Sequence, residues 1–163
     1  HLCQRRRHIR RGTAGPMTKK MDRGRVLGIA QTWAGTPYRH QASLKGVGCD
    51  CLGLIRGVWR ELYSAEPEAL KPYTMDWAET AIGDPLLEAA RRHFCQADNL
   101  EPGCLILFRW KAGTAAKHCG IYLGEDSFLH AYERHAVMAS PLIPHWHRRI
   151  AGLFHFPDST NGD

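Results

Sequence analysis

Residues 48–62 read Gly-Cys-Asp-Cys-Leu-Gly-Leu-Ile-Arg-Gly-Val-Trp-Arg-Glu-Leu and contain the clearest helical pattern in the chain. From Cys51 onward, apolar residues recur at i, i+3, i+4, i+7, i+8 and i+11, which is the spacing of one continuous face of an α-helix. Asp50 immediately precedes them and belongs to a residue type favoured at helix N-caps. We therefore predict an amphipathic helix that begins at Cys51 and buries one face.

Two further helices and a series of strands are predicted around this helix. Residues 22–34 carry apolar residues on one side and are stopped by Gly35-Thr36-Pro37. Asp84-Pro85 combines an N-cap with a proline at the first helical position, and it predicts a helix to about Phe94. From Gly103 onward the pattern is typical of β-structure, with candidate strands at 104–110, 118–123, 127–132, 136–140 and 149–156. Helices followed by an antiparallel sheet predict an α+β fold.

The length and composition are those of one globular domain. The chain has 163 residues, of which 44% are hydrophobic and 23% charged, and these values exclude a disordered or collagen-like protein. Its apolar runs, such as Leu105-Ile106-Leu107-Phe108, are strand-sized and fall far short of the roughly 20 residues that span a bilayer. We therefore expect no transmembrane segment.

The net charge of +6 is concentrated near the N-terminus. Residues 1–25 contain nine Lys or Arg and one acid, a balance of +8, which leaves thirteen bases and fifteen acids for the rest of the chain. A nucleic-acid-binding fold would carry its basic patch on the folded surface, so we expect no nucleic-acid partner. We predict a basic, disordered extension over residues 1–20, one domain over 21–158 and a short tail over 159–163. Because the basic region has no apolar core segment, we expect synthesis in the cytoplasm without a signal peptide.

Cys51 is a candidate nucleophile because of its position at the start of the predicted helix. Free N–H groups and the positive end of the helix dipole favour a thiolate there, and the same N–H groups can stabilise an oxyanion. Gly53, two residues on, would leave room for a substrate to approach the backbone. The charge of Asp50 opposes thiolate formation unless that carboxylate points away as a cap. The alternative is that Cys51 is a buried residue that only begins the apolar face.

The predicted hairpin over 118–132 supplies two histidines that could serve such a nucleophile. With a three-residue loop, Leu123 pairs with Ser127, and the aliphatic residues of both strands share one face. His118 and His130 then lie together on the opposite face, about 7–8 Å apart at the backbone. We predict that one ring nitrogen of each lies within hydrogen-bond reach of the other, directly or through one water. The alternative is a sheet with two incidental histidines.

A zinc site is the competing interpretation of the same part of the chain. Suitable ligands by residue type are Cys49, Cys51, His118, Cys119 and His130. Cys-x-Cys and adjacent His-Cys pairs are not usual spacings for structural zinc, and the parity of the hairpin places Cys119 on its core face. We therefore predict no metal site.

Several motifs together resemble the NlpC family of papain-like bacterial and phage cell-wall cysteine peptidases. They are Gly35-Thr36-Pro37-Tyr38-Arg39, the run from Gly48 to Leu54, Glu101-Pro102-Gly103, His118-Cys119-Gly120-Ile121-Tyr122-Leu123-Gly124 and Phe128-Leu129-His130-Ala131. The resemblance covers roughly residues 22–157. The sequence around Cys51, Asp76-Trp77 and Arg148-Arg149-Ile150-Ala151-Gly152 is most similar to the subgroup encoded with phage tails and gene transfer agents.

The resemblance implies a papain-like α+β domain in which the nucleophile helix packs on an antiparallel sheet. It implies Cys51 as the nucleophile, His118 as the base and His130 as the group that orients His118. Tyr38 matches a tyrosine that contacts the substrate or the oxyanion. Asp50 matches an aspartate that helps to bind a free amino terminus in some members. Neither a metal nor another cofactor is implied.

The implied activity is hydrolysis of an amide bond in the peptide stem of peptidoglycan, and the D-glutamyl–meso-diaminopimelate bond is the first expectation. Two residues depart from the family pattern: Leu52 stands where serine is common, and Cys104 stands where aspartate is usual. That serine takes part in amine recognition in some members, so Leu52 favours an uncleaved stem peptide as substrate. We interpret Cys104 as a core residue.

Two other functions fit the same resemblance. One is an N-acetylmuramoyl-L-alanine amidase on the same scaffold, and the other is a non-catalytic tail structural or zinc-binding module. The subgroup resemblance also implies association with a phage-like tail and its proteins, or action at the cell wall or in the periplasm.

Overall fold

The computed structural model describes residues 21–66 and 83–158. The predictions for residues 1–20 and 159–163, and the resemblance at Asp76-Trp77, lie outside these residues, so the domain limits stay a prediction. The helices in the described part are α1 (Arg23–Gln31), α2 (Cys51–Tyr63), α3 (Pro85–His93) and α4 (Pro144–His147), and the first three correspond to the predicted helices. None of the helices in the described ranges is long and apolar enough to cross a membrane.

Within the described ranges, a six-stranded antiparallel sheet forms the centre of the fold, and its spatial order is β3-β8-β4-β5-β6-β7. Its strands are β3 (Cys95–Gln96), β4 (Leu105–Arg109), β5 (Ala116–Gly124), β6 (Ser127–Ala131), β7 (Val137–Pro141) and β8 (Ile150–His155). A separate antiparallel pair, β1 (Ser43–Leu44) and β2 (Gly48–Cys49), precedes α2. The five predicted strands correspond to β4–β8. Strands β1–β3 and helix α4 were not predicted, because elements of two to four residues show no measurable periodicity.

Helix α1 ends three residues earlier than the predicted boundary. The N–H groups of Thr32, Trp33 and Ala34 donate to carbonyls three residues earlier in the chain, so the helix tightens into 3₁₀-type turns. Gly35 follows with a φ of 87° and turns the chain away from the helix axis.

Helix α2 is buried along most of its length, as its apolar face predicts. An added Cβ at Gly57 would lie 2.0 Å from the ring of Trp33, so only glycine allows this indole to pack on the helix backbone. The indole N–H of Trp33 donates to Glu61 at 2.7 Å. The segment that follows α1 is thereby fixed against α2.

The sheet is covered by apolar side chains on both faces. On one face, the larger core joins the sheet residues Cys119 and Ile121 to residues of α1, α2 and α3. On the other face, Phe108 and Phe128 form a second core, against which Trp146 of α4 packs. The predicted aliphatic face of the hairpin therefore meets the helices, and the histidine face borders the second core.

The hairpin between β5 and β6 differs from the prediction at its turn. Gly124, rather than Leu123, pairs with Ser127, and the register shifts between residues 122 and 124. The turn has two residues, Glu125 and Asp126, with φ of 50° and 55°, the left-handed pair that matches strand twist in tight hairpins. The bulge at residue 123 restores the predicted register further along, so the histidines keep the predicted parity.

Candidate active site

Cys51 is the first residue of α2, where backbone N–H groups have no acceptor within the helix. Its side chain lines a surface cleft, although only 8% of the residue is exposed. The predicted location of this cysteine at a helix N-terminus is confirmed. A small reactant can reach the thiol through the cleft, while protein surrounds the rest of the side chain.

The carboxylate of Asp50 forms hydrogen bonds within the protein. One oxygen accepts from the N–H of Gly53 at 2.7 Å, and the other accepts from the N–H of Gln41 at 2.7 Å. Burial, and then the charge of Cys51, raise the pKa of Asp50, whereas the two backbone hydrogen bonds and nearby His40 oppose this rise. Asp50 therefore caps α2 and clamps the loop that precedes β1 at the rim of the cleft.

The space beside Gly53 is filled by protein, so the expected room for a substrate at this backbone position is absent. An added Cβ would lie 1.9 Å from the carbonyl oxygen of Ala42. The hydroxyl of Ser43 also donates to the carbonyl of Gly53 at 2.6 Å. The expectation of a substrate approach at Gly53 is wrong, and the glycine instead lets the preceding loop dock on the first turn of α2.

The two histidines of the hairpin form a direct hydrogen bond. Nε2 of His118 lies 2.8 Å from Nδ1 of His130, which confirms the predicted contact. Nε2 of His130 lies 2.8 Å from the hydroxyl oxygen of Ser140 on β7. Ser140 was missed by the sequence reasoning. Because Ser140 pairs with Phe128, its side chain lies on the same face of the sheet as His130 and diagonal to it. The alternation of side chains along the predicted strand 136–140 would therefore have identified Ser140 as a candidate partner.

Burial determines the protonation of His130. Burial, and then the positive charge of His118, lower the pKa of His130 to about 3, so its ring is neutral near pH 7. A neutral ring carries one N–H. When His118 donates its Nε2–H to Nδ1 of His130, Nδ1 of His130 carries no proton. The single N–H of the His130 ring must then be on Nε2, which donates to Ser140.

The thiol of Cys51 is surrounded by groups that favour its thiolate. The hydrogen bond from the Cys119 thiol lowers its pKa most, and the hydrogen bond and charge of His118 lower it further, which together outweigh the effect of burial. Since Nε2 of His118 bonds to His130, the ring nitrogen left for Cys51 is Nδ1. Cys119 is buried, as predicted, but its thiol also reaches the nucleophile candidate.

The backbone N–H of Tyr38 donates to the carbonyl of His135 in the loop that follows β6, at 3.1 Å. Tyr38 forms an isolated bridge with Cys49 and lines the same cleft as Cys51. Burial, followed by the charges of Cys51 and Asp50, raises the pKa of its phenol. Tyr38 therefore keeps its proton and can act as a hydrogen-bond donor toward the cleft.

The cleft has a volume of about 340 Å³. Its walls are formed by Tyr38, His40, Asp50, Cys51, Trp110, Lys117, His118, His130, Ala131, Tyr132, Glu133, His145, Trp146 and Arg149. All five residues predicted for the site, Cys51, His118, His130, Tyr38 and Asp50, are brought together here. Their chemical roles stay predictions.

Two tryptophans beside the histidines were also missed by the sequence reasoning. The ring of Trp110 stacks on His118 with centroids 5.3 Å apart and an interplanar angle of 24°. The ring of Trp146 lies 5.7 Å from His118 and 5.5 Å from His130. These indoles restrict the orientation of both imidazoles and form an apolar wall of the cleft. They come from the end of β4 and from α4, and no local pattern in the sequence links these segments.

The zinc interpretation receives no support from the arrangement of the candidate ligands. Within residues 21–66 and 83–158, no group of three or more His, Cys, Asp or Glu side chains is placed to hold a metal ion. The ring nitrogens that join His118, His130 and Ser140 are committed to hydrogen bonds.

Comparison with known proteins gives one consistent family. The family model described as NlpC/P60 family matches residues 35–154. Murein DD-endopeptidase MepS/Murein LD-carboxypeptidase of Escherichia coli K12 is 31% identical over 128 residues, which are 78% of this chain and 59% of that protein. Gamma-DL-glutamyl hydrolase of Bacillus subtilis 168 is 28% identical over 154 residues, covering 93% of this chain and 33% of that protein. The chain thus spans less than two thirds of the length of each of these relatives.

Solved structures show the same fold. An NlpC/P60 family protein from Bacillus cereus superposes with a TM-score of 0.62 at 18% identity, covering 86% of this chain and 42% of that one. The likeness confirms the fold expected from the sequence, a papain-like α+β domain with the cysteine helix packed on an antiparallel sheet.

Proposed function

The chain belongs to the NlpC/P60 family, and on that premise we propose that it is a cysteine peptidase that hydrolyses an amide bond in the peptide part of peptidoglycan. The observation that carries this proposal is the hydrogen-bonded row of His118, His130 and Ser140, whose two histidines line the same cleft as Cys51. The similarity of the chain to a murein endopeptidase supports peptidoglycan peptides as the class of substrate.

Each member of the row has a distinct part in the proposed reaction. Nδ1 of His118 takes the proton of the Cys51 thiol, and the thiolate attacks the carbonyl carbon of the peptide. His118 then gives that proton to the leaving amine, and a water molecule hydrolyses the thioester with His118 again as base. His130 accepts from Nε2–H of His118 and stabilises the imidazolium, while the Ser140 hydroxyl accepts the Nε2–H of His130 in that tautomer.

The negative oxygen formed during attack needs donors on the side of the cleft away from the base. The backbone N–H of Cys51 is one candidate, because it lies in the first turn of α2. The phenol of Tyr38 is the second, since its raised pKa keeps it protonated. Tyr38 therefore serves the oxyanion in this proposal, as the family resemblance implies.

The charges around the cleft suit a peptide that carries both amine and carboxylate groups. Glu133 lines it as an acid, and Lys117 and Arg149 line it as bases. A γ-linked D-glutamyl residue keeps its α-carboxylate next to the scissile amide, so we propose the D-glutamyl–meso-diaminopimelate bond as the target. Both oxygens of Asp50 bond to backbone N–H groups, which supports an uncleaved stem peptide over a free amino terminus.

The place of action is a separate part of the proposal. The similarity of Arg148-Arg149-Ile150-Ala151-Gly152 to the phage-tail and gene-transfer-agent subgroup supports association with a phage-like tail. In that setting the chain acts at the cell wall or in the periplasm, with tail proteins as partners. An N-acetylmuramoyl-L-alanine amidase on the same scaffold is the second candidate, because the nucleophile chemistry is shared.

Digestion of purified peptidoglycan, followed by mass spectrometry of the products, tests the activity and the bond together. Disaccharide-dipeptides are expected from the D-glutamyl–diaminopimelate bond. Loss of cross-links alone would assign a bond between stems, and release of whole stems from the sugar would assign an amidase. Absence of any product with the native protein, under conditions where a control hydrolase is active, would contradict the proposed function. The Cys51→Ala variant, which lacks the proposed nucleophile, serves as the inactive control.

A further inference from the structure

The nucleophile candidate has a second cysteine on its buried side. The thiol of Cys119 donates to the carbonyl oxygen of Cys51 at 3.4 Å, and the two cysteine side chains are close enough to shift each other's pKa. Cys119 follows His118 directly in β5, and strand parity places the two side chains on opposite faces of the sheet. Cys51 is therefore held between a histidine on the cleft side and a thiol on the core side.

The two thiols differ in access and in acidity. Cys51 lines the cleft, whereas Cys119 is only 1% exposed and belongs to the core that faces the helices. The pKa of Cys51 is lowered, and the pKa of Cys119 is raised by its hydrogen bond to the Cys51 sulfur and by burial. A peroxide that enters the cleft would thus meet one reactive thiolate, with a protonated thiol directly behind it.

The core leaves some freedom beside the inner cysteine. A small cavity of about 10 Å³ lies against Cys119 and is bordered by Leu52, Ile55 and Leu107. A disulfide needs the two sulfur atoms at about 2 Å, closer than a hydrogen bond holds them. The approach of the two sulfur atoms requires the Cys119 side chain to rotate, and the cavity beside it gives it room to do so.

We propose that Cys51 and Cys119 form a reversible disulfide that protects the nucleophile when hydrogen peroxide enters the cleft. The Cys51 thiolate attacks one peroxide oxygen: an S–O bond forms, the O–O bond breaks, and hydroxide leaves and is protonated to water. The sulfur of Cys119 then attacks the resulting sulfenic acid: the S–S bond forms, the S–O bond breaks, and the thiol proton of Cys119 leaves with hydroxide as water. Two electrons pass from the cysteine pair to the peroxide.

The disulfide blocks amide hydrolysis until an external dithiol reduces it. Without Cys119, the sulfenic acid of Cys51 stays open to a second peroxide and proceeds to sulfinic acid, which thiols do not reduce. The consequence for activity depends on the proposed function, but the disulfide itself does not.

Peptide mapping tests the bond directly. Trypsin places Cys51 together with Cys49 in residues 46–56 and Cys119 in residues 118–134. The Cys49→Ala variant leaves Cys51 as the single cysteine of its peptide. After hydrogen peroxide and alkylation of the remaining thiols, we expect these two peptides joined, with the loss of two hydrogens. Sulfinic acid on Cys51, or Cys51 joined to another cysteine, would overturn the proposal.

Recovery of activity provides the second measurement. Native protein, Cys119→Ala and Cys104→Ala are oxidised with hydrogen peroxide and then treated with dithiothreitol, and each rate is divided by that variant's own untreated rate. Cys104 is a buried free thiol elsewhere in the protein and serves as the matched control. We expect recovery in Cys119→Ala to be about tenfold lower than in the other two. Equal recovery in all three would overturn the proposal. If Cys119→Ala does not fold or no variant has activity, the mapping of Cys49→Ala decides alone.

Discussion

Acidification should destabilise the folded protein through His130, and His130→Asn should remove this sensitivity. In the tautomer that the proposed mechanism requires, the neutral native ring donates to Ser140 and accepts from His118. Protonation would place a second positive charge beside His118 in a position that is 1% exposed. An asparagine oxygen can still accept from His118, but the asparagine side chain does not titrate.

The magnitude follows from the lowered pKa. An ordinary histidine has a pKa near 6.5, whereas the pKa of His130 is lowered to about 3. At about 1.4 kcal/mol for each pKa unit, this difference corresponds to about 5 kcal/mol of the free energy of unfolding when the loss is complete. Since the pKa in the folded state is depressed, this stabilisation is fully present above pH 6.5 and is lost progressively as the pH falls toward 3. Between about pH 7.5 and pH 5, the share that is lost is about 2 kcal/mol.

Urea unfolding followed by circular dichroism at about pH 7.5 and pH 5 measures this loss. The native protein should lose about 2 kcal/mol more of its free energy of unfolding than His130→Asn does. The titrating groups that do not contact His130, including Asp50 with its opposite shift, are shared by the two proteins and cancel in the comparison. The variant His147→Asn, at an exposed position, provides a control for the removal of an imidazole from the chain. An identical loss in native protein and His130→Asn would refute the assignment of His130 as a buried neutral acceptor.

Three further sets of substitutions test separate parts of the site. Cys51→Ala should reduce muropeptide hydrolysis by about 10⁴-fold or more, while Cys104→Ala retains activity, and equal rates for the two variants would remove Cys51 as nucleophile. His118→Ala should lower kcat by about 10²–10⁴-fold, because it removes the proton carrier. His130→Ala should lower kcat less, and His130→Asn should lower it least. A His130→Ala variant as fast as native protein would show that Cys51 and His118 act without His130. Gly53→Ala should lower the free energy of unfolding by about 1–3 kcal/mol, because the new methyl group would lie 1.9 Å from the Ala42 oxygen, and unchanged urea unfolding would show that this loop yields easily.

The sequence predicts best those features that depend on local periodicity. The apolar face after Cys51 predicted α2, and Asp50 caps it because a short carboxylate can reach the N–H of Gly53. The alternation of aliphatic residues in the hairpin placed His118 and His130 on one face, and their hydrogen bond follows from that parity. The turn was mispredicted by one residue, because the bulge at residue 123 compensates a two-residue turn.

Features that join distant segments were not predictable in the same way. Ser140 reaches His130 only because β7 pairs with β6 in one particular register. Trp110 and Trp146 meet at His118 although 36 positions separate them in sequence, and only the assembled fold brings their rings together. The contact between Cys119 and Cys51 likewise depends on how closely α2 packs on β5, which neither periodicity nor spacing reports.

Trapping the acyl-enzyme tests most directly the claim that Cys51 is a nucleophile served by His118. The Cys49→Ala protein is mixed with excess muropeptide, quenched in acid within a single turnover and digested with trypsin, so that residues 46–56 contain Cys51 as their only cysteine. The account predicts that the acyl part of the muropeptide is attached to this peptide through Cys51 and disappears as product forms. Acylation of a different residue, or normal turnover by Cys51→Ala, would contradict it.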